Sequence, residues 1–406
     1  MASCARLTLA HWTAAATFLV AATYLAGFPL CSGQLDALRQ LRQDVPGDMF
    51  LLDRDNKTGN SSKDCLQKSE KLQCPDPDIR FYLYVGTSGE ADEINTTDPE
   101  WFAQSQFNPD APTVMLVHGY RGGDSLMPTV VLKNAYIKLG TYNLITVDYG
   151  PLVRTPCYVQ AVNNLKPVAK CISHMLSYFR LNNVYTEKFT CVGFSLGSHI
   201  CGLIDNYVTE KLERIIALDP ARPLLSNRRD NQKLDPKDAQ QVLVFHTNAG
   251  FYGQTGWTGT IDFCVNNGAQ PYCQKTRRLV RRPSLDEQLC SHAHAVCYMA
   301  QSLWKERAQM GEPCANRCPQ NNFFDRRGIP VPMGEFTPSY ATGTFCVKNE
   351  FPPYCLGADE TDPTFGDERC CPVYPNKTRK RIGQMLSERR TQRRWKMWNR
   401  FEDDYL

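Results

Sequence analysis

Short, continuously apolar runs recur along this chain, separated by stretches long enough to hold a helix. Thr113–Val117, Leu144–Val147, Phe189–Val192, Ile215–Leu218 and Val242–Phe245 lack the polar alternation of a half-exposed strand. Such runs suit strands covered on both faces. Strand and helix in alternation predict an α/β fold on a mainly parallel, doubly wound sheet, with Ile79–Val85 as an early edge strand. One intervening segment, Tyr158 to Leu181, keeps a helical stripe of Val168, Ile172, Met175, Leu176 and Phe179, which Pro167 should kink or split. At 406 residues the chain is long enough for a large core.

In open α/β sheets reactive groups gather at the carboxyl ends of the strands. The run ending at Val117 leads into His118, that ending at Val192 into Ser195, that ending at Leu218 into Asp219, and that ending at Phe245 into His246. Ser195 lies in Gly193-Phe194-Ser195-Leu196-Gly197 between an apolar run and a helix-like stretch. This is the context of a strained turn that exposes a nucleophilic serine, and its flanking glycines are needed because strand and helix come too close for side chains. A serine hydroxyl is a poor nucleophile without a base. The order serine, acid, histidine admits His246, His292 and His294 after Asp219. His246 ends a strand and reads equally as a core residue. His292 is read in a loop that a disulfide at Cys290 would hold, which suits a base and makes it the choice.

Together with Cys74-Pro75-Asp76-Pro77-Asp78-Ile79-Arg80-Phe81, His118-Gly119-Tyr120 and Ala217-Leu218-Asp219-Pro220-Ala221, the serine motif resembles the animal pancreatic-type lipase family. Further matches are Leu234-Asp235-Pro236-Lys237-Asp238-Ala239, Val244-Phe245-His246-Thr247, Ile261-Asp262-Phe263 and Cys290-Ser291-His292. The resemblance implies an α/β-hydrolase fold over about residues 65 to 357 and hydrolysis of lipid carboxylic esters, triacylglycerol or phospholipid. It implies Ser195 as nucleophile, Asp219 as acid and His292 as base, with the N–H groups of Tyr120 and Leu196 as oxyanion hole. It further implies a structural calcium ion held by the loop of Asp230, Lys233, Asp235 and Asp238, though three aspartates among basic residues also read as a solvated loop. A lid enclosed by Cys273 and Cys290 is implied too. Gln274 to Leu289 is short for a lid and carries Arg277, Arg278, Arg281 and Arg282. Phe194 stands where a histidine is more usual, and is expected to face away from the reacting atoms. The competing reading is an inactive lipid-binding or yolk-type storage protein on the same fold.

Residues 1 to 33 read as a secretory signal, the rival being an uncleaved anchor. Residues 34 to 64 read as a poorly ordered leader. Glycosylation patterns at Asn56, Asn60, Asn95 and Asn376 fit a secreted chain. Of 18 cysteines, Cys4 and Cys31 fall in the signal and leave an even number for disulfides, whose pairing the text does not give. Zinc is disfavoured because Cys314, Cys318, Cys370 and Cys371 lack the usual ligand spacing. A domain boundary is expected near Leu356, before a polar tail too short for the C-terminal β-sandwich of the digestive members. Within 377 to 400 the tail carries ten Lys or Arg and one Glu in a chain of net charge +4. An anionic lipid surface or a sulfated polysaccharide would suit it, although such runs are often only solvated; nucleic acid does not suit a secreted protein.

Overall fold

The computed structural model describes residues 65–274, 284–314, 318–319, 328–357, 362 and 364–371. The signal and leader, Asn56, Asn60, Asn376, the four arginines from Arg277 to Arg282 and the basic tail lie outside the described residues.

Among the described residues eleven strands form one sheet: β1 (Arg80–Val85), β2 (Asp92–Glu93), β3 (Thr113–Val117), β4 (Asn143–Asp148), β5 (Phe189–Phe194), β6 (Leu212–Leu218), β7 (Ala239–His246), β8 (Ile261–Val265), β9 (Met310–Pro313), β10 (Val331–Pro332) and β11 (Gly343–Val347). Their order is β10-β9-β11-β8-β7-β6-β5-β3-β4-β1-β2. From β11 through β4 every pairing is parallel, while β1, β2, β9 and β10 add antiparallel margins. The five apolar runs thus became adjacent central strands, because continuous hydrophobicity suits only strands with both faces covered. Side chains in β3 alternate accordingly: Met115 and Val117 join one core cluster, Val114 and Leu116 the other. The early strand β1 is not the outermost, since two residues of β2 pair outside it.

The principal helices are α1 (Trp101–Gln104), α2 (Thr129–Leu139), α3 (Tyr158–Asn163), α4 (Leu165–Leu181), α5 (Leu196–Leu203) and α6 (Leu285–Ser302). Residues of α3, α4 and α5 fill one core cluster, and those of α2 and α6 the other. The sheet is therefore covered on both faces, as the doubly wound reading requires. The expected split of Tyr158–Leu181 occurs at Asn164, three residues before Pro167. Pro167 lies in the first turn of α4, where a missing N–H costs no intrahelical bond.

Eight disulfides engage the cysteines from Cys65 onward: 65–157, 74–171, 191–201, 264–318, 273–290, 297–370, 314–346 and 355–371. The pair implied for the lid, Cys273 and Cys290, is among them. Adjacent Cys370 and Cys371 go to different partners, and Phe365 and Cys370 are buried in a core cluster. The packed domain therefore continues past the boundary expected near Leu356. Among the described residues no helix is long and apolar enough to cross a membrane.

Candidate active site

Ser195 stands between β5 and α5 with φ 56° and ψ −115°. A non-glycine residue at positive φ is strained, and here the surroundings impose it. A Cβ on Gly193 would lie 2.5 Å from the Gly197 carbonyl oxygen, and one on Gly197 would lie 2.1 Å from that of Val117. Both flanking glycines are thus demanded by close backbone approach. The loop after β3 also presses on this turn: a Cβ on Gly119 would meet Ser195 Cβ at 2.8 Å and the Phe194 carbonyl oxygen at 2.9 Å. Tyr120 follows directly. Leu196 opens α5, so its N–H is among those with no carbonyl partner inside the helix.

Asp219 directly follows β6, the strand next to the one that leads into Ser195. Its N–H donates to Phe245 O at 2.8 Å, and its Oδ1 accepts from the N–H groups of Thr247 (2.8 Å) and Asn248 (2.9 Å). Oδ2 meets His292 Nδ1 at 2.5 Å. The carboxylate is fully buried, and a Cβ on Gly253 would fall 2.4 Å from its Oδ1. With Nδ1 committed to Asp219, Nε2 is the imidazole nitrogen left to handle a proton.

His292 is not in a loop as expected. It lies in the second turn of α6, which starts with a capping box: Ser284 Oγ accepts from Glu287 N at 3.3 Å, and Glu287 Oε2 accepts from Ser284 N at 2.7 Å. Ser284-x-x-Glu287 was the readable signal for this helix start. The segment read as lid therefore becomes helix from Leu285 onward. Asn248 Nδ2 donates to Gln288 Oε1 at 2.6 Å, linking the Asp219 cradle to the helix that carries His292.

Asp219 and His292 are thus brought together. Among the described residues no hydrogen bond joins Ser195 to His292; instead the ring of neighbouring Phe194 lies 4.7 Å from the imidazole, centroid to centroid. The expectation that Phe194 faces away is overturned, because its side chain turns to the sheet face that α6 covers. Tyr252 also approaches the imidazole, at 5.5 Å. Such contacts leave no backbone signature in the local sequence.

The other histidines after Asp219 are engaged elsewhere. His294 Nδ1 lies 2.7 Å from Cys290 O and Nε2 3.3 Å from Cys370 O, and burial lowers its pKa. Cys273, Cys290 and His294 converge, but both cysteines are spent in a disulfide and cannot ligate a metal as thiolates. His246 is fully buried and pairs with Asp262.

The loop of Asp230 to Asp238 is fastened to α5. His199 Nδ1 accepts from Leu234 N at 3.1 Å while its Nε2 lies 2.7 Å from Ala221 O, and burial drives this ring's pKa down to about 4. Asp238 Oδ2 accepts from Asp235 N at 2.7 Å, and a Cβ on Gly202 would lie 2.3 Å from that oxygen. Burial raises the Asp238 pKa to about 9, with Asp235 and Asp205 adding negative charge nearby. Asp230 opens a short 3-10 turn and, with Lys233 and Asp235, lines a polar cleft of about 370 Å³.

The model of the Lipase family matches residues 50–332. Lipase member H of Danio rerio is 33% identical over 202 residues, covering 49% of this chain and 44% of that protein. Pancreatic triacylglycerol lipase of Sus scrofa is 30% identical over 299 residues, 68% of this chain and 65% of its own length. The chain spans less than two thirds of these curated relatives. A solved phospholipase/carboxylesterase from Dyadobacter fermentans aligns over 41% of this chain and 70% of its own at 15% identity, with a TM-score of 0.27, too partial an overlap to bear on chemistry. By the family match, which takes in Ser195, Asp219 and His292, the chain belongs to the Lipase family.

Proposed function

We propose that the chain is a secreted serine hydrolase that cleaves carboxylic ester bonds of lipids, triacylglycerol or phospholipid, through an acyl-enzyme. The observation that carries this reading is the 2.5 Å contact between Asp219 and His292, beside a serine held at positive φ. Ser195 Oγ attacks the ester carbonyl while its proton passes to His292 Nε2, and Asp219 stabilises the imidazolium so formed. The oxyanion is met by the N–H groups of Leu196 and Tyr120, a service worth about 3 kcal/mol per donor. His292 then protonates the leaving alkoxide, and water activated by the same nitrogen hydrolyses the acyl-serine.

Two further assignments support the same reading. The Asp230–Asp238 loop suits a structural calcium ion, with Asp235 and Asp238 as carboxylate ligands, the Lys233 carbonyl beside them and Asp230 where a glutamate is usual. Its support is the chemistry of the site, a buried Asp238 next to Asp235 with Asp205 nearby, hard oxygen donors of the kind calcium takes. Bound calcium would neutralise this charge and stiffen the loop against α5, away from the ester. The disulfides fit an oxidising, extracellular compartment, and Asn95 is exposed where a glycan would be added.

Fluorophosphonate labelling of the protein purified from culture medium tests the nucleophile. Wild type is expected to label and Ser195→Ala not to; equal labelling of both would remove Ser195 from the mechanism. Comparison of fatty-acid release from triolein and phosphatidylcholine then assigns the substrate.

A further inference from the structure

Behind Asp219 lies a second buried histidine and carboxylate, at the ends of β7 and β8. His246 Nε2 is 2.7 Å from Asp262 Oδ1, and His246 Nδ1 is 3.1 Å from the backbone oxygen of Gln254. A peptide carbonyl can only accept. Asp262 is itself supplied by donors, Thr258 N at 3.1 Å to Oδ1 and Gly259 N at 3.1 Å to Oδ2, as an ionised carboxylate requires. Both imidazole nitrogens therefore face acceptors, as they do at His294, but there both partners are neutral carbonyls, whereas here one is a carboxylate whose charge favours the imidazolium that donates to both.

The pair is placed to act on Asp219. His246 stands between Phe245, whose carbonyl receives the Asp219 N–H, and Thr247 and Asn248, whose N–H groups hold Asp219 Oδ1. Its other partner, Gln254, follows Gly253, whose backbone abuts the Asp219 carboxylate. Gln254 also bonds the segment after Asp219, through its N–H to Pro220 O at 2.8 Å and its Nε2 to Ala221 O at 2.9 Å. His246 thus ties β7, β8 and the loop over Asp219 to one point. Among the described residues the charged groups facing it are Asp262 and Asp219. Burial works against the charge, but the hydrogen bond and charge of Asp262, with Asp219 behind, raise its pKa above the usual histidine value.

We infer that His246 is a positioning residue kept as an imidazolium by Asp262 and the Gln254 carbonyl, which sets the geometry of the Asp219 cradle and, through its charge, the basicity of the Asp219–His292 couple. The effect on basicity rests on the catalytic reading of that couple; the protonation state does not. A positive charge near Asp219 opposes protonation of His292, so its removal moves the acidic limb of the rate profile to higher pH.

The test has two arms on the full chain. In resting protein labelled with ¹⁵N-histidine, both His246 ring nitrogens should show the protonated signature at a pH just above the usual histidine value, where a free imidazole is mostly neutral; one bare nitrogen there overturns the inference. In His246→Gln, kcat on a soluble short-chain ester should fall about tenfold with KM little changed and the acidic limb displaced upward. A folded variant with the wild-type pH profile overturns the proposed tuning. If the variant does not fold, the ¹⁵N signature still decides the charge, and Asp262→Asn should convert it to the neutral form. Failure of wild type to label with fluorophosphonate would instead strike the catalytic reading and leave the ¹⁵N result standing.

Discussion

Phe194 and His292 face each other with ring centroids 4.7 Å apart and planes tilted by 40°, so the residue preceding the candidate nucleophile packs on the candidate base. The contact limits rotation of the imidazole about the axis that its bond to Asp219 leaves free. It would also offer a π face to the imidazolium of the proposed mechanism.

Phe194→Ala should lower kcat on a soluble ester about fivefold with little change in KM, the loss matching an aromatic contact of roughly 1 kcal/mol. Phe194→His, which restores a ring, should retain most of the rate. Steady-state kinetics on the three proteins checks this, and an unchanged kcat in the alanine variant would deny the contact any catalytic role.

Gly253→Ala should damage turnover more than it damages folding. The added Cβ would fall within 2.6 Å of the Asp219 carboxylate atoms, so either the loop or the carboxylate must shift. A displacement of about 1 Å in such a relay costs on the order of 100-fold in rate. Rate and thermal midpoint measured together decide it, and a wild-type rate would show that the loop yields instead.

Without metal, stability should fall as pH rises from about 4 to 9. The folded Asp238 keeps its proton up to about 9 whereas the unfolded residue loses it near 3.8, so over this window the folded state binds the extra proton. Calcium, by binding the ionised form, should raise the thermal midpoint most at the alkaline end, by roughly 5 °C at saturating ion. Scans with chelator and with calcium at pH 5.5 and 8.5 check both signs. Four identical midpoints would remove calcium from this loop.

Much of the fold was legible because it is written locally. The five central runs announce strands covered on both faces, and Gly193 and Gly197 announce the tight turn at Ser195. The split near Pro167 was readable for the same reason, although its position at Asn164 depended on how α4 begins. The start of α6 at Ser284 was equally local, as a capping box, but the cysteines on either side drew the segment into a loop reading. The disulfide pairs were not legible: Cys370 and Cys371 are neighbours in sequence yet reach Cys297 and Cys355.

By itself the sequence determined the strand and helix alternation, the turn that presents Ser195 and the set of histidines able to serve it, since backbone sterics and hydrophobic periodicity act between near neighbours. Only the tertiary structure decided that Nδ1 of His292 meets Asp219, that Phe194 turns toward that imidazole, and that His246 is ringed by acceptors. Those relations join separate elements and loops, and their directions are set by how helices and loops close over a finished sheet, which no local pattern encodes.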